Sequence, residues 1–123
     1  LHLVNKVKPG SSVGIVESEK TAIICAGHFP EITWLATGGI QNLKPGLFKG
    51  LQRFKLVLFP DLGAHNIWVN KAKTIRRTFP GIMITVSEYL ETIASDKERS
   101  AGFDLADYLV MNPDKNVLSK NIK

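Results

Sequence analysis

Two acidic residues that close apolar runs are the strongest chemical feature of this sequence. Glu17 follows Val13-Gly14-Ile15-Val16, and Asp61 follows Phe54-Lys55-Leu56-Val57-Leu58-Phe59-Pro60. Short apolar runs rich in β-branched residues read as buried parallel strands. In an open α/β sheet, ligands bind beyond the carboxyl ends of the strands, where the strand order reverses. If these runs are neighbouring parallel strands, both carboxylates share one crevice. That crevice would suit a divalent cation held against phosphate.

The elements that must position the two acids can be read along the chain. Ser18 is placed to cap a helix after the first strand, with Glu19 favourable in its first turn. That helix runs through Thr21-Ala22-Ile23-Ile24-Cys25-Ala26 and stops near Gly27-His28-Phe29-Pro30, since Gly ends helices and Pro cannot continue them. Ile32 to Thr37 reads as a second strand, and Gly38-Gly39 permits a sharp turn after it. Residues 40–53 hold Pro45-Gly46 and Gly50 and read as a loop with a short helix. Phe54 to Phe59 is a third strand. Ala64 to Phe79 is helical, with Ile67, Trp68, Ala72, Ile75 and Phe79 near one face. Ile82 to Val86 is a fourth strand, and Ser87-Glu88-Tyr89-Leu90-Glu91 opens another helical stretch. Residues 96–102 look exposed, and Phe103 to Met111 reads as an amphipathic helix carrying Asp104 and Asp107. The alternation predicts an α/β fold with a four-stranded, mainly parallel sheet flanked by helices. Residues 1–12 read as a lead-in, 13–111 as the domain, and 112–123 as a polar, flexible tail. The missing initiator Met suggests a piece of a longer protein.

Composition narrows the function classes. The chain of 123 residues suits one core, and 44% hydrophobic with 22% charged residues is ordinary for a globular domain. No apolar run approaches the roughly 20 residues of a membrane span, so no membrane partner is expected. The single cysteine, Cys25, sits in an apolar helical pattern and reads as a core residue, as suits a reducing cytoplasm. A net charge of +5 mildly favours a polyanionic partner. The sequence has neither GxGxxG nor GxxxxGK[ST], which disfavours a Rossmann dinucleotide site and a P-loop.

The segment Val16-Glu17-Ser18-Glu19-Lys20-Thr21-Ala22 resembles the first motif of Toprim domains, the catalytic domains shared by DnaG-type primases and topoisomerases. That motif is a strand, a Glu, a small residue and a helix. The family's second motif, Asp-x-Asp at the end of a later strand, is matched in part by Phe59-Pro60-Asp61-Leu62-Gly63. Gly63 stands where the second Asp would be. Gly38-Gly39 matches the glycine after the family's second strand, and Gly102-Phe103-Asp104-Leu105-Ala106-Asp107 resembles the acidic pair that opens a late helix in primase-like members. The resemblance spans about residues 13 to 111. It is closest to Toprim-like segments of replication or mobilisation proteins of Bacteroides-type mobile elements.

The resemblance implies a Toprim-like three-layer, Rossmann-like fold and Mg2+- or Mn2+-dependent chemistry on nucleic-acid phosphodiesters, with primase-like nucleotidyl transfer foremost. It implies Glu17 as the proton-handling residue and metal neighbour, and Asp61 as a metal ligand. Asp104 and Asp107 join them or, alternatively, only satisfy N–H groups at a helix start. Lys20, Gly38 and Gly39 would lie near phosphate. Lys71, Lys73, Arg76 and Arg77 would contact DNA or RNA, single-stranded in the expected mode, or form a solvated helix face. Other domains of a replication or mobilisation protein would be partners. With one Asp missing, a non-catalytic nucleic-acid-binding or scaffolding module is the alternative. A receiver-type phosphate switch also places acids at strand ends, but it would carry an acidic pair after its first strand. Trp34 and Trp68 could stack on bases but fit core positions better, and His65 reads as a surface residue at a helix start.

Overall fold

The structure, a computed structural model, describes residues 11–93 and 104–111. The expectations for residues 1–10, the exposed stretch 96–102, Phe103 and the tail 112–123 lie outside the described residues. Within them the chain forms β1 (Ser12–Val16), α1 (Glu19–His28), β2 (Thr33–Ala36), two 3₁₀ turns (Ile40–Asn42 and Pro45–Phe48), β3 (Lys55–Leu58), α2 (His65–Thr78), β4 (Met83–Val86), α3 (Tyr89–Ile93) and α4 (Leu105–Met111). The expected four-stranded α/β sheet is present, and all of its strand pairs are parallel.

The strand order is β2-β1-β3-β4. The chain leaves β1 to build β2 on one side, then returns past β1 to build β3 on the other. The order therefore reverses between β1 and β3, and this is the switch point where an open sheet leaves a crevice. Ile15 is level with Leu58, so Glu17 and Asp61 emerge beside one another just past the strand ends.

Side chains alternate across a strand, and the two apolar sets go to two layers. Val13, Ile15, Leu56, Leu58 and Ile84 pack with Trp68, Ala72 and Ile75 of α2 and with Leu43, Phe48, Leu51 and Phe54 of the 3₁₀ segment. Val16, Trp34, Val57 and Phe59 pack on the opposite face with Cys25, Leu90, Leu105, Tyr108 and Leu109 of α1, α3 and α4. Both tryptophans are core residues, at 8% and 1% exposure for Trp34 and Trp68. Cys25 is fully buried, and burial together with nearby Asp104 pushes its thiol up to about 12, so it is an inert packing group. Among the described residues no helix is long and apolar enough to cross a membrane.

Residues 40–53, expected as a loop with a short helix, hold two short 3₁₀ turns. Their apolar residues, Leu43, Phe48 and Leu51, are buried against the sheet, and that burial shapes both turns. Arg76 also has a role within the fold: its guanidinium donates to the Ile84 carbonyl at 2.8 Å, tying α2 to β4.

Candidate functional site

Glu17 is held by the loop that follows β2. The Thr37 N–H donates to the Val16 carbonyl at 2.9 Å, and the Gly38 N–H donates to the Glu17 carbonyl at 2.9 Å. The chain then turns through Gly38 at φ +81° and Gly39 at φ +148°, backbone conformations that suit glycine. The turn aims the Ile40 N–H at the Glu17 side chain, which accepts it at Oε1 over 3.0 Å. Thr37, one of two buried polar residues among those described, donates its hydroxyl to the Gly39 carbonyl at 3.0 Å and accepts the Gly39 N–H at 3.2 Å. The N–H groups of both glycines are thus taken within the loop. What they offer a ligand is open backbone surface: Gly38 and Gly39 line an open depression of about 490 Å³ with Glu17, Ser18 and Glu19.

Asp61 is half-buried across the switch point. Its carboxyl is raised to about 7 by burial first, then by the charges of Asp104 and Glu17, a hydrogen bond with Glu17, and the charge of Asp107. Burial and these neighbouring acids together favour the protonated carboxyl, since carboxylates crowded into one crevice cannot all stay ionised at little cost. The other three acids singled out in the sequence, Glu17, Asp104 and Asp107, thus all act on Asp61.

The helices opposite bring Asp104 and Asp107 into range. Ser18 caps α1, accepting the Thr21 N–H at 3.1 Å. Thr21 donates its hydroxyl to Asp104 Oδ2 at 2.9 Å, and with that proton engaged, Ser18 supplies the hydrogen in its 2.8 Å contact with Thr21 Oγ1. At the start of α4, Asp104 Oδ1 accepts the Asp107 N–H at 2.8 Å, and Asp107 Oδ2 accepts the Asp104 N–H at 3.1 Å. This reciprocal cap satisfies two N–H groups that a helix start would leave unpaired. Both acids cap their helix, and both also raise Asp61. Tyr89 and Tyr108, edge-to-face with ring centroids 5.7 Å apart and hydroxyls 3.3 Å apart, fix α3 against α4.

Thr21 and Thr37 are the residues that sequence reasoning missed. Their signal is weak: a Thr three residues after a capping Ser, and a Thr ending a strand before two glycines. Replacing Thr21 by Val keeps shape and removes the bridge to Asp104. Since hydrogen bonds to charged groups are worth roughly 1.5–3 kcal/mol, chemical denaturation should show a loss of about that size. Thr21→Ser should retain most of the stability.

The other predicted residues lie further out. Lys20 is exposed on the first turn of α1, and on α2 Lys71 is half-buried while Lys73 and Arg77 are exposed. His65 opens α2 but is not a surface residue: its side chain is 21% exposed, and its Nε2 is buried without a hydrogen-bond partner, 4.0 Å from Glu88 Oε1. It faces a cavity of about 330 Å³ lined also by Gly63, Asn66, Glu88, Glu91 and Thr92. Gly63, at φ +90°, donates its N–H to Glu91 Oε1 at 2.9 Å. The position where a second Asp would stand thus serves a turn into α2.

As a metal site the cluster fits by chemistry and is not closed by geometry. Among the described residues no three His, Cys, Asp or Glu side chains are gathered tightly enough to hold an ion as they stand. Yet the donors are all carboxylate oxygens, the ligands of hard divalent cations. A cation there would offset the charges of Glu17, Asp104 and Asp107, which together with burial raise the Asp61 carboxyl.

A family model described as a domain of unknown function, DUF6371, matches residues 1–62, half of the chain and inclusive of both Glu17 and Asp61. No curated protein and no solved structure matches the chain.

Proposed function

We propose that this chain, which belongs to the DUF6371 family, is a Toprim-like module for divalent-cation-dependent chemistry on nucleic-acid phosphodiesters, with primase-like nucleotidyl transfer as the reaction. One observation supports this reading above the others. Glu17 and Asp61 meet at the sheet's switch point, where Asp61 is raised to about 7 by burial and by neighbouring acids.

Glu17 and Asp61 would hold Mg2+ or Mn2+, with Asp104 and Asp107 adding negative charge beside them. The ion, when bound, supplies positive charge against phosphate oxygens. The chain's own residues do the rest. Asp61 gives up its proton when a cation displaces it, so binding strengthens as pH rises through about 7. Glu17, braced by the Ile40 N–H at one oxygen, keeps a fixed orientation. It accepts the proton of the attacking hydroxyl, general-base work typically worth roughly 10²–10⁴ in rate. The depression beside Glu17 is open enough to admit a nucleotide end.

Calorimetric titration with Mn2+ at pH 8 tests the ligand set. The native chain should bind, and Glu17→Gln and Asp61→Asn should each weaken binding at least about tenfold, the scale set by one lost ligand or its support. Equal affinity in all three proteins would sink the assignment. A second reading, a nucleic-acid-binding or scaffolding module without catalysis, is favoured by Gly63 in place of the second Asp and by the open geometry of the acids. Primer synthesis or strand cleavage that depends on Glu17 would exclude it.

A further inference from the structure

Charge in this fold is segregated by layer. From residue 38 to residue 87 the chain carries eight Lys or Arg residues and one acid, Asp61. This stretch includes the 3₁₀ segment and α2, which share one hydrophobic core and cover one face of the sheet. Lys44, Lys49, Arg53, Lys73 and Arg77 are all exposed, and none of them makes an ion pair with a described residue. The acids Glu19, Asp104 and Asp107 belong instead to α1 and α4 on the opposite face.

We propose that the α2 and 3₁₀ layer is a docking face for a nucleic-acid backbone, distinct from the acidic cluster and including cations outside α2. It rests on the nucleic-acid part of the reading above and not on the metal. The exposed residues Asn66, Asn70, Lys73 and Arg77 follow one another at steps of four, three and four along α2, so they form one polar stripe. A helix of 14 residues is about 20 Å long, which spans several phosphates at their few-ångström spacing. Cations without acidic partners release bound counterions into solution when phosphates replace them, and this drives association.

Other polyanions fit less well. A surface lying on an anionic membrane needs an apolar band to bury, and this layer exposes one large aliphatic side chain on α2, Ile67. An acidic protein would be expected to anchor on aromatic residues, but Phe48, Phe54 and Trp68 are buried in the core.

The test is fluorescence anisotropy of a labelled oligonucleotide with the full chain in EDTA, so that cation binding cannot contribute. A single strand of about 20 nucleotides is long enough to cover the layer. Binding should weaken steeply with salt. Replacing Lys49, Arg53, Lys73 and Arg77 together by Ala should weaken it at least tenfold and flatten the slope of log affinity against log salt by roughly 2–3, at about 0.7 per lost phosphate contact. Lys73→Ala with Arg77→Ala alone should give about half that change in slope, and circular dichroism verifies that each variant is folded. Unchanged affinity and slope in the folded double variant would overturn the proposal, as would tighter binding to phosphatidylserine vesicles or to polyglutamate than to the oligonucleotide. If oligonucleotide binding holds in EDTA while Mn2+ titration shows no site, the metal reading alone fails.

Discussion

Replacing Asp61 by Asn should make the protein more stable than the native chain at pH 8 and leave it nearly unchanged at pH 4. The sign follows from proton linkage. In the unfolded chain Asp61 loses its proton near 3.8, whereas in the fold it keeps the proton until about 7. Between those values the native state holds a proton that the unfolded state lacks, so stability falls as pH rises across that window. Below about 4 both states are protonated and the penalty is absent; above about 7 it is fully present. Asn has the shape of the protonated carboxyl and offers an N–H to Glu17, so it keeps the contact and drops the titration. Because Asp61 is only half-buried, solvent screening reduces the gain to the order of 1 kcal/mol. Thermal melts of both proteins from pH 4 to pH 8 would show their midpoints diverging as pH rises. Parallel curves would mean that Asp61 titrates as an ordinary carboxyl. Mg2+ should close the gap at pH 8 by stabilising the native chain and not the variant.

Gly14→Val should be among the most destabilising single changes in the fold. Gly14 lies in the middle of β1, level with Trp34 of β2, and the indole covers it. A Cβ at this position would stand 2.5 Å from Cζ3 and 2.6 Å from Cε3 of Trp34, closer than carbon atoms approach. The indole cannot easily move aside, since its Nε1 donates to the Phe29 carbonyl at 3.2 Å and its ring packs on Phe59 with centroids 5.4 Å apart. Overpacking of this kind costs typically 1–3 kcal/mol and more where backbone is involved, so about 3 kcal/mol is expected in urea denaturation. Pairing it with Trp34→Leu should recover part of that loss, because the two changes share one contact. The effect reaches the site: β1 and β2 carry Glu17 and the loop that braces it, so a shifted β1–β2 pair also moves the Ile40 N–H. A loss under about 0.5 kcal/mol, the scale of a neutral surface change, would contradict this packing.

The strands and the two leading acids were readable in the sequence because their signals are local. Val13 to Val16 and Phe54 to Phe59 are apolar runs that end in a carboxylate, and parallel strands buried on both faces read that way. Ser18 was readable as a cap for the same reason, since capping acts over three residues. Thr21 and Thr37 escaped notice because their roles depend on distant partners: Asp104 lies 83 residues from Thr21, and the Thr37 N–H is held by the Val16 carbonyl of another strand. In residues 40–53 the loop with a short helix was readable from Pro and Gly, but the burial of Leu43, Phe48 and Leu51 was not, because it depends on the sheet beneath them. His65 was misplaced because its first-turn position says nothing of the cavity that α3 closes over it. The sequence left Asp104 and Asp107 open between helix-start acids and metal ligands; the structure shows the reciprocal cap and places both near enough to raise Asp61.

The central claim is that Asp61 holds a proton beside Glu17 at the switch point and would yield it to a divalent cation. Carbon-detected NMR of the side-chain carboxyls, titrated with and without Mg2+, measures this directly. Asp61 should titrate near 7 without the ion, and its titration should move down toward the ordinary carboxylate range with it. An Asp61 that titrates near 4 in both conditions, or near 7 with no response to Mg2+, would contradict the account.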